Sequence, residues 1–373
     1  MSEIRVNNLS NESSTGGPTI SGITTFSGTN FFVPPVGNTA QRPQDPQKGA
    51  IRFNTDTAHL EYYKGDTIGW SEVEASSEEL GGGTGSNTGT GHRGLIGGGN
   101  PTLNVVQYLT ISTLGDTQDF GDLSVGRRTL QGCASRVRGL FCGGYPTSNV
   151  VDYRDFASLG NFVDFGNFNS TGRFHLMSTS SETRGLVAGG VPSPVNIIDM
   201  FTIASTGDGI DFGDLTTTLA YGGAMSSSTR SFFTGNASPS FNTICFVTTS
   251  TQGNASDFGD LSVGKVASQG GGNATRGIFA GGSLQPANSY TNQIDFITLA
   301  TTGNAIDFGD LTSARGYNAN MDSATRTVFG GGYNATDDID YIQTATTGNA
   351  IDFGNMASDG GGNAGISNGH GGL

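Results

Sequence analysis

The segment Arg276-Gly-Ile-Phe-Ala-Gly-Gly282 is one copy of a pattern that recurs along most of this chain: an arginine, a short apolar run and a glycine pair. It is followed by Ile294-Asp295-Phe296, an apolar residue, an aspartate and an aromatic residue, and then by Asp307-Phe-Gly309. A fixed order of apolar runs and glycine-rich turns is typical of repeated β-strands.

Each of the three anchors occurs six times. The Arg anchors are Arg93, Arg138, Arg184, Arg230, Arg276 and Arg326. The Asp-Phe-Gly anchors begin at Asp119, Asp164, Asp211, Asp257, Asp307 and Asp352, so their spacings are 45, 47, 46, 50 and 45 residues. The middle anchor lies 12 residues before each Asp-Phe-Gly, with Gln107 and Cys245 replacing its aspartate in two copies. A period near 46 predicts a four-stranded propeller blade.

Each repeat divides into four predicted strands. The first follows the Arg, the second contains the middle anchor, and the third passes through Asp-Phe-Gly-Asp-Leu. The fourth is rich in small residues, as in 267–274, and we expect it to be innermost, where blades crowd around the axis. The last repeat ends at 357–364 without an Arg-opened strand, and one is present at 93–99. We therefore predict an all-β, six-bladed propeller over 93–373, closed by pairing of its N- and C-terminal strands.

The repeat resembles the kelch propellers, which have an apolar strand ending in Gly-Gly, a turn-flanked aromatic segment and a stretch leading to an arginine. The match covers every repeat, although the kelch tryptophan is absent and the Phe of Asp-Phe-Gly stands near its place. The resemblance implies the fold and leaves the function open, because kelch propellers include both binding modules and enzymes.

Composition limits the functional classes. The formal net charge is −14 and charged residues make up 13% of the chain. This charge argues against non-specific binding to nucleic acid or to anionic membrane surfaces. No apolar run approaches a membrane-spanning length, and the N-terminus does not have the form of a signal peptide, so we expect synthesis in the host cytoplasm.

Candidate chemistry in the repeats has simpler structural explanations. Cys133, Cys142 and Cys245 fit no metal spacing and are predicted to be buried apolar residues, with a Cys133–Cys142 disulfide as the alternative. Aspartates such as Asp122 and Asp260, three residues after an anchor aspartate, are read as turn caps, with calcium binding as the alternative. The histidines are scattered, so we predict no enzyme, metal or cofactor. The six anchor arginines are expected to pair with repeated carboxylates.

Six variable loops join the first and second strands of the repeats and should share one face. They are residues 100–103, 145–148, 191–195, 237–241, 283–291 and 333–336. Exposed loops on a rigid scaffold commonly carry binding specificity. Their aromatic residues, which could contact a sugar or a peptide, are the candidate recognition residues Tyr145, Phe241, Tyr290 and Tyr333.

The N-terminal region differs in composition. Residues 75–92 form a Gly/Ser/Thr-rich linker, and residues 1–74 contain a predicted meander of three short strands. So small a sheet exposes too much apolar surface to stand alone. We therefore expect it to form a homo-oligomer, with a trimer as the expected state, or to dock on a partner through Phe53, Tyr62, Tyr63 and Trp70.

Part of this region resembles a module of phage structural and tail-fibre-like proteins. The resemblance rests on Asn38-Thr-Ala-Gln-Arg-Pro-Gln-Asp-Pro-Gln-Lys-Gly-Ala-Ile-Arg-Phe-Asn-Thr-Asp-Thr57, on Leu60-Glu-Tyr-Tyr-Lys-Gly65 with Trp70, and on Ile20-Ser-Gly-Ile-Thr-Thr-Phe-Ser27. It covers about residues 15–75 and implies a virion protein attached to other virion proteins through its N-terminus.

The expected function is therefore that of a bacteriophage virion protein of the tail-fibre or appendage type. Its propeller would bind the host surface, through a glycan or a protein. The alternative is a decoration or joint protein of the virion whose propeller binds another virion protein.

Overall fold

The structure, a computed structural model, describes residues 34–57, 59–73, 92–235, 241–334, 337–358 and 360–373. The chain divides into two compact units, Met1–Ser77 and Glu78–Leu373. Within the described residues the regular structure consists of β-strands and one short 3₁₀ turn at Thr39–Gln41, so the all-β prediction is confirmed. The segment Ile20–Ser27 and all of the predicted linker except His92 lie outside the described residues.

The strands are numbered in chain order. The first unit contains β1 (Val36–Gly37), β2 (Ile51–Asn54), β3 (His59–Tyr63) and β4 (Trp70–Glu72). The second unit begins with β5 (Arg93–Gly97), β6 (Val105–Thr110), β7 (Gln118–Asp122), β8 (Gln131–Ala134), β9 (Arg138–Cys142), β10 (Val150–Asp155), β11 (Val163–Asn167), β12 (Met177–Ser180), β13 (Arg184–Ala188), β14 (Val195–Thr202), β15 (Ile210–Leu219), β16 (Ala224–Ser226), β17 (Arg230–Thr234), β18 (Thr243–Thr248) and β19 (Ser256–Asp260). It continues with β20 (Lys265–Val266), β21 (Gln269–Gly272), β22 (Arg276–Ala280), β23 (Ser283–Leu284), β24 (Ser289–Tyr290), β25 (Gln293–Thr298), β26 (Ile306–Asp310), β27 (Ala319–Asp322), β28 (Arg326–Gly330), β29 (Asp338–Gln343), β30 (Ile351–Asn355) and β31 (Ala364–Ser367).

The first unit is a single sheet with an ionic interior. Its order is β1-β2-β3-β4, with β1 parallel to β2 and the other pairs antiparallel. Glu61 is fully buried, 2.6 Å from the Arg42 guanidinium and 3.5 Å from that of Arg52. The Arg42 hydrogen bonds are the largest influence on the pKa of Glu61 and hold it below its ordinary value. A polar interior of this kind contributes little hydrophobic stabilisation.

In its described residues, the second unit contains six four-stranded antiparallel sheets. In β8-β9-β10-β11, for example, the small-residue strand pairs with the Arg strand, which pairs with the middle-anchor strand, and the Asp-Phe-Gly strand is at the far edge. One sheet combines both ends of the unit, in the order β31-β5-β6-β7, with Gly365 opposite Ile96. A three-stranded ribbon, β20-β23-β24, carries the longest of the variable loops.

The small-residue strands contact one another in a cycle. β8 contacts β12, β12 contacts β16, and the succession continues through β21, β27 and β31 back to β8. Apolar clusters fill the spaces between neighbouring sheets, such as Leu95, Phe141 and Ile366 together. The arrangement is propeller-like, and its small-residue strands are innermost.

Turns from neighbouring sheets cover the outer strand edges. Before β11, the Gly160 and Phe162 amides donate to the Phe120 and Asp122 carbonyls of β7, at 2.8 and 2.7 Å. The same pair of bonds occurs at all six junctions, and the last runs from Gly115 and Thr117 to Phe353 and Asn355. These bonds satisfy backbone groups that an open edge would expose.

The glycine of Asp-Phe-Gly is required by this close approach. A Cβ added to Gly259 would lie 2.5 Å from the Gly303 carbonyl oxygen. At the other five equivalent glycines, an added Cβ would lie 2.5 or 2.6 Å from a carbonyl atom of the neighbouring turn. The anchor therefore marks where one backbone passes directly over the next.

The anchor arginines do not act as expected. Arg326 donates to the Ile111 and Ser112 carbonyls of a neighbouring sheet at 3.1 and 2.9 Å, and its guanidinium lies 4.8 Å from the Tyr341 ring centre. All six arginines donate to such carbonyls. Among the described residues only Arg138 also has a carboxylate partner, the half-exposed Asp155. The predicted pairing with repeated carboxylates is wrong for the other five, because each guanidinium bonds backbone carbonyls of a neighbouring sheet, and those of Arg93, Arg230, Arg276 and Arg326 also lie against an aromatic ring.

The repeated buried ion pairs involve a different cation, which the sequence interpretation missed. The middle-anchor aspartates pair with a basic residue from the connection before the innermost strand: Arg127–Asp152, Arg173–Asp199, Lys265–Asp295 and Arg315–Asp340. Where the aspartate is replaced, so is the cation. Lys265 is five residues after Asp260, and Leu219 stands at the same place, five residues after Asp214, in the repeat that has Cys245 in place of the aspartate. In the repeat with Gln107, the equivalent place is occupied by Gly360. The pair is thus retained or lost as a unit.

We predict that Lys265→Leu lowers the free energy of unfolding by about 3–5 kcal/mol, because it leaves the Asp295 carboxylate buried without a counter-charge. Lys265→Leu combined with Asp295→Cys reproduces the neutral combination that the chain itself uses at Leu219 and Cys245, and should recover most of the loss. Urea unfolding of the three proteins measures both effects. A single variant as stable as the parent, or a double variant no better than the single, would contradict the interpretation.

Candidate functional site

Six backbone hydrogen bonds form a closed ring at one end of the innermost strands. The ring residues occupy equivalent places in the six repeats: Thr129, His175, Tyr221, Ala267, Tyr317 and Gly362. Each amide donates to the carbonyl of the preceding ring residue, at 2.6 to 3.0 Å, and the Thr129 amide closes the ring on Gly362. We call this the backbone ring.

The backbone ring places large side chains in an unfavourable conformation. Its φ angles lie between 50° and 73°, including 50° at His175, 57° at Tyr221 and 58° at Tyr317. This left-handed region costs a residue other than glycine on the order of 1 kcal/mol. Residues held there by their surroundings often belong to functional sites.

Aromatic side chains meet above the backbone ring. The His175 ring lies 4.3 Å from that of Tyr221 and 5.2 Å from that of Tyr317, and the three residues precede the innermost strands of three different sheets. Phe174 and Tyr145 continue the contacts on one side, at 5.3 and 5.4 Å between successive ring centres. On the other side Tyr333 lies 5.5 Å from Tyr317, and Tyr290 packs on Gly316. We call Tyr145, Phe174, His175, Tyr221, Tyr290, Tyr317 and Tyr333 the aromatic cap.

Burial shifts the pKa of two central groups of the aromatic cap, His175 and Tyr317. Burial, and then the Arg128 charge, lower the pKa of His175 to about 4. Burial raises the pKa of Tyr317, and the nearby phenols of Tyr221, Tyr290 and Tyr333 raise it further. Arg128 lies at the edge, 4.6 Å from the Tyr145 ring centre, and donates to Asn100 Oδ1 at 2.7 Å. The site offers ring faces, phenol hydroxyls and one guanidinium.

Three of the four candidate recognition residues belong to the aromatic cap. Tyr145 is 40% exposed, and Tyr290 and Tyr333 are half-buried. Phe241 is elsewhere: its side chain faces Gly264, and among the described residues it has no ring contact with the cap. Residues 236–240 of its loop lie outside the described residues.

Sequence reasoning missed Phe174, His175, Tyr221 and Tyr317. The backbone-ring residues follow the Asp of each Asp-Phe-Gly by 10 residues, or by 11 at His175. These six equivalent positions hold Thr, His, Tyr, Ala, Tyr and Gly, a variation typical of an unimportant turn. An alignment of all six repeats would have shown that two tyrosines and a histidine occupy the same position.

The four predicted docking residues of the first unit fall on both faces of its sheet. Phe53 and Tyr62 share a face with Val36 and Ile51, which are 56% and 53% exposed. Tyr63 and Trp70 are on the opposite face, with their ring centres 5.4 Å apart. One face is therefore apolar and exposed, as a docking surface would be.

A polar cavity of about 50 Å³ lies between the innermost strands. Side chains from the next sheet satisfy their inner backbone groups. Ser178 Oγ donates to the Gly132 carbonyl at 2.6 Å, and the Ala134 amide donates to Ser180 Oγ at 2.9 Å. Small polar residues are needed here because each side chain must reach a neighbouring backbone without filling the cavity.

The segment after β31 crosses the far end of this cavity. His370 Nε2 is 2.8 Å from the Ala134 carbonyl oxygen, and the Gly372 amide donates to Nδ1 at 3.1 Å. Burial lowers the pKa of His370 to about 4, in keeping with a neutral ring that donates at Nε2.

The cysteine prediction is confirmed, because Cys133, Cys142 and Cys245 are buried and free. Within the described ranges no group of three or more His, Cys, Asp or Glu side chains is gathered to hold a metal ion. In the same ranges no helix is both long enough and apolar enough to span a membrane.

Comparison with known proteins supports the fold. No protein-family model and no curated protein matches this chain. Among solved structures, "Structure of YjhT" is similar with a TM-score of 0.55 at 11% identity, covering 65% of this chain and 88% of that chain. At this identity the likeness extends to the fold alone, an all-β, propeller-like arrangement.

Asp322 is a buried carboxyl group of the cavity. It is 5% exposed, accepts from the Gly272 amide at 2.9 Å and from Asn320 Nδ2 at 2.8 Å, and has no cationic partner among the described residues. Burial raises its pKa from 3.8 to about 7. Its contribution to stability is therefore complete below pH 4 and is lost as the pH rises through about 7.

We predict that Asp322→Asn raises stability relative to the parent protein at pH 8 and not at pH 4. Asparagine keeps an acceptor for Gly272 and removes the buried charge, so the difference between the two proteins should grow with pH to at most about 4 kcal/mol. His175 and His370 have lowered pKa values, which make stability rise with pH. Both proteins contain these histidines, so their effect cancels in the difference. Unfolding curves at several pH values, with the exposed Asp307→Asn as control, measure it. A difference independent of pH would contradict the assignment.

Proposed function

We propose that the six sheets are the blades of a closed, six-bladed, kelch-like propeller. The cycle of innermost strands, the backbone ring and the β31–β5 pairing support closure. The Gly-Gly ends support the kelch relationship: the Gly144 amide, for example, donates to the Arg173 carbonyl before the next blade at 2.9 Å.

We propose further that this chain is a bacteriophage virion protein of the appendage type, attached through its N-terminal unit and binding the host surface through its propeller. The resemblance of residues 15–75 to phage structural proteins supports the first part. The exposed apolar face around Val36, Ile51, Phe53 and Tyr62 supports attachment and a homo-oligomeric state.

The aromatic cap is the observation that carries the binding role. Three bulky residues are held in left-handed conformations, and their rings meet where the backbone ring fixes them. A rigid group of partly exposed aromatic rings is well suited to recognition, because little conformational entropy is lost on binding.

The protonation states favour binding over catalysis. His175, with a pKa near 4, is a weak base, and the raised pKa of Tyr317 makes its phenolate rare at neutral pH. General acid–base catalysis works best with a pKa near the working pH. These groups can stack on a ligand and form hydrogen bonds with it.

Deletion of residues 1–74 should yield a folded propeller that no longer enters phage particles. The deletion removes the exposed apolar face around Val36 and Ile51 and leaves the six sheets of the second unit intact. Circular dichroism and the unfolding midpoint check the fold, and immunoblots of purified particles, with the full chain as control, check incorporation. Particles that incorporate the truncated chain, or that lack the full chain, would overturn the proposal.

Electron microscopy of the particle separates the two virion roles. The host-binding role places the aromatic cap at the periphery, facing solvent. A cap covered by another virion protein would instead support the joint role, as an assembly contact.

A further inference from the structure

The geometry points to a ligand class for the aromatic cap: we propose that it binds the pyranose ring of a saccharide. This inference rests on the proposed binding function and names what the same face recognises. Three features carry it: the exposed ring faces of the cap, its grouped hydroxyls and the covered outer edges of the six four-stranded sheets around it.

The rings provide a small apolar platform. Tyr145 is 40% exposed, and Phe174, His175, Tyr221, Tyr317 and Tyr333 are half-buried, so each is supported from below and accessible in part. A pyranose has one face made largely of C–H groups, which can lie on such rings, and hydroxyls around its edge. Aromatic residues with a polar end match both properties.

Phenol groups are close together at the platform. The Tyr317 ring centre is 5.5 Å from that of Tyr333, Tyr221 and Tyr317 both contact His175, and burial and then the phenols of Tyr221, Tyr290 and Tyr333 raise the pKa of Tyr317. In the described part of the chain none of the four donates to or accepts from another protein group. They are therefore available to bond the hydroxyls of a sugar, whereas a purely apolar ligand would remove them from water without replacement.

A peptide fits the same face less well. Extended peptides gain much of their affinity by adding a strand to an open sheet edge. Here the outer edges of the six four-stranded sheets are covered by the turns of neighbouring sheets, and side chains such as Ser178 satisfy the inner edges. The edge strand β24, which carries Tyr290, is only two residues long.

Saturation-transfer NMR and calorimetry on the full chain test this inference. The probes are methyl pyranosides of glucose, galactose, mannose and N-acetylglucosamine, with a proline-rich peptide as the competing class. We expect at least one pyranoside to bind, with a dissociation constant on the order of 1 mM, and to show the strongest transfer at its ring C–H protons.

Two cap variants are expected to fold, because their replacements already occur in the backbone ring. Tyr221→Ala copies Ala267, and Tyr317→Gly copies Gly362. Each should weaken pyranoside binding by at least about tenfold. Tyr341→Phe is the matched control, because phenylalanine fills the equivalent place at Phe246 and Phe296, and it should bind within about twofold of the parent.

Binding of none of the pyranosides, equal binding by the cap variants, or binding of the peptide alone would overturn the inference. The proposed function fails separately. If the chain is found at the particle periphery but binds no sugar, the virion role is supported and the saccharide inference is wrong. If the chain binds sugar but does not enter particles, the saccharide inference is supported and the virion role is wrong.

Discussion

The turn before each outer strand donates two backbone hydrogen bonds to the outer strand of the neighbouring sheet, and the rest of the second unit depends on this contact. It covers a strand edge, fixes the distance between sheets and requires glycine in the covered strand, as at Gly259 beside the Gly303 carbonyl. The contact recurs at every junction, including the one that joins the last sheet to the first. No sheet in the unit is therefore stable in isolation as it stands, and each junction supports the next.

The same spacing brings the innermost strands close enough to form the backbone ring. Ring closure holds His175, Tyr221 and Tyr317 in conformations that they would leave in a free turn. The cost of those conformations is offset by the surrounding sheets, and the result is a rigid aromatic surface. The arrangement of the scaffold and the proposed binding surface thus have a common origin in the inter-sheet hydrogen bonds.

Much of the fold could be predicted from the sequence because the repeat is regular. Apolar runs ending in glycine pairs predict strands such as Arg276–Ala280, and the middle anchors predict strands such as Gln293–Thr298. The role of the anchor arginines could not be predicted, because sequence shows a charge and hides the carbonyls and rings that surround it. The buried cations were missed because Arg127 precedes its partner Asp152 by 25 residues, with strands β8 and β9 between them. The aromatic cap was missed in part because its contacts join different sheets, and only Tyr145, Tyr290 and Tyr333 stand in the visibly variable loops.

Closure of the six sheets into one ring is the central claim, and amide hydrogen exchange at the backbone ring tests it most directly. The Thr129 amide, which donates to Gly362, joins the first part of the unit to the last, whereas the Tyr221 amide donates to His175 within the middle of the chain. A closed ring predicts that both amides exchange only through global unfolding, with equal protection. Fast exchange at Thr129 beside slow exchange at Tyr221 would show an open arrangement and contradict the account.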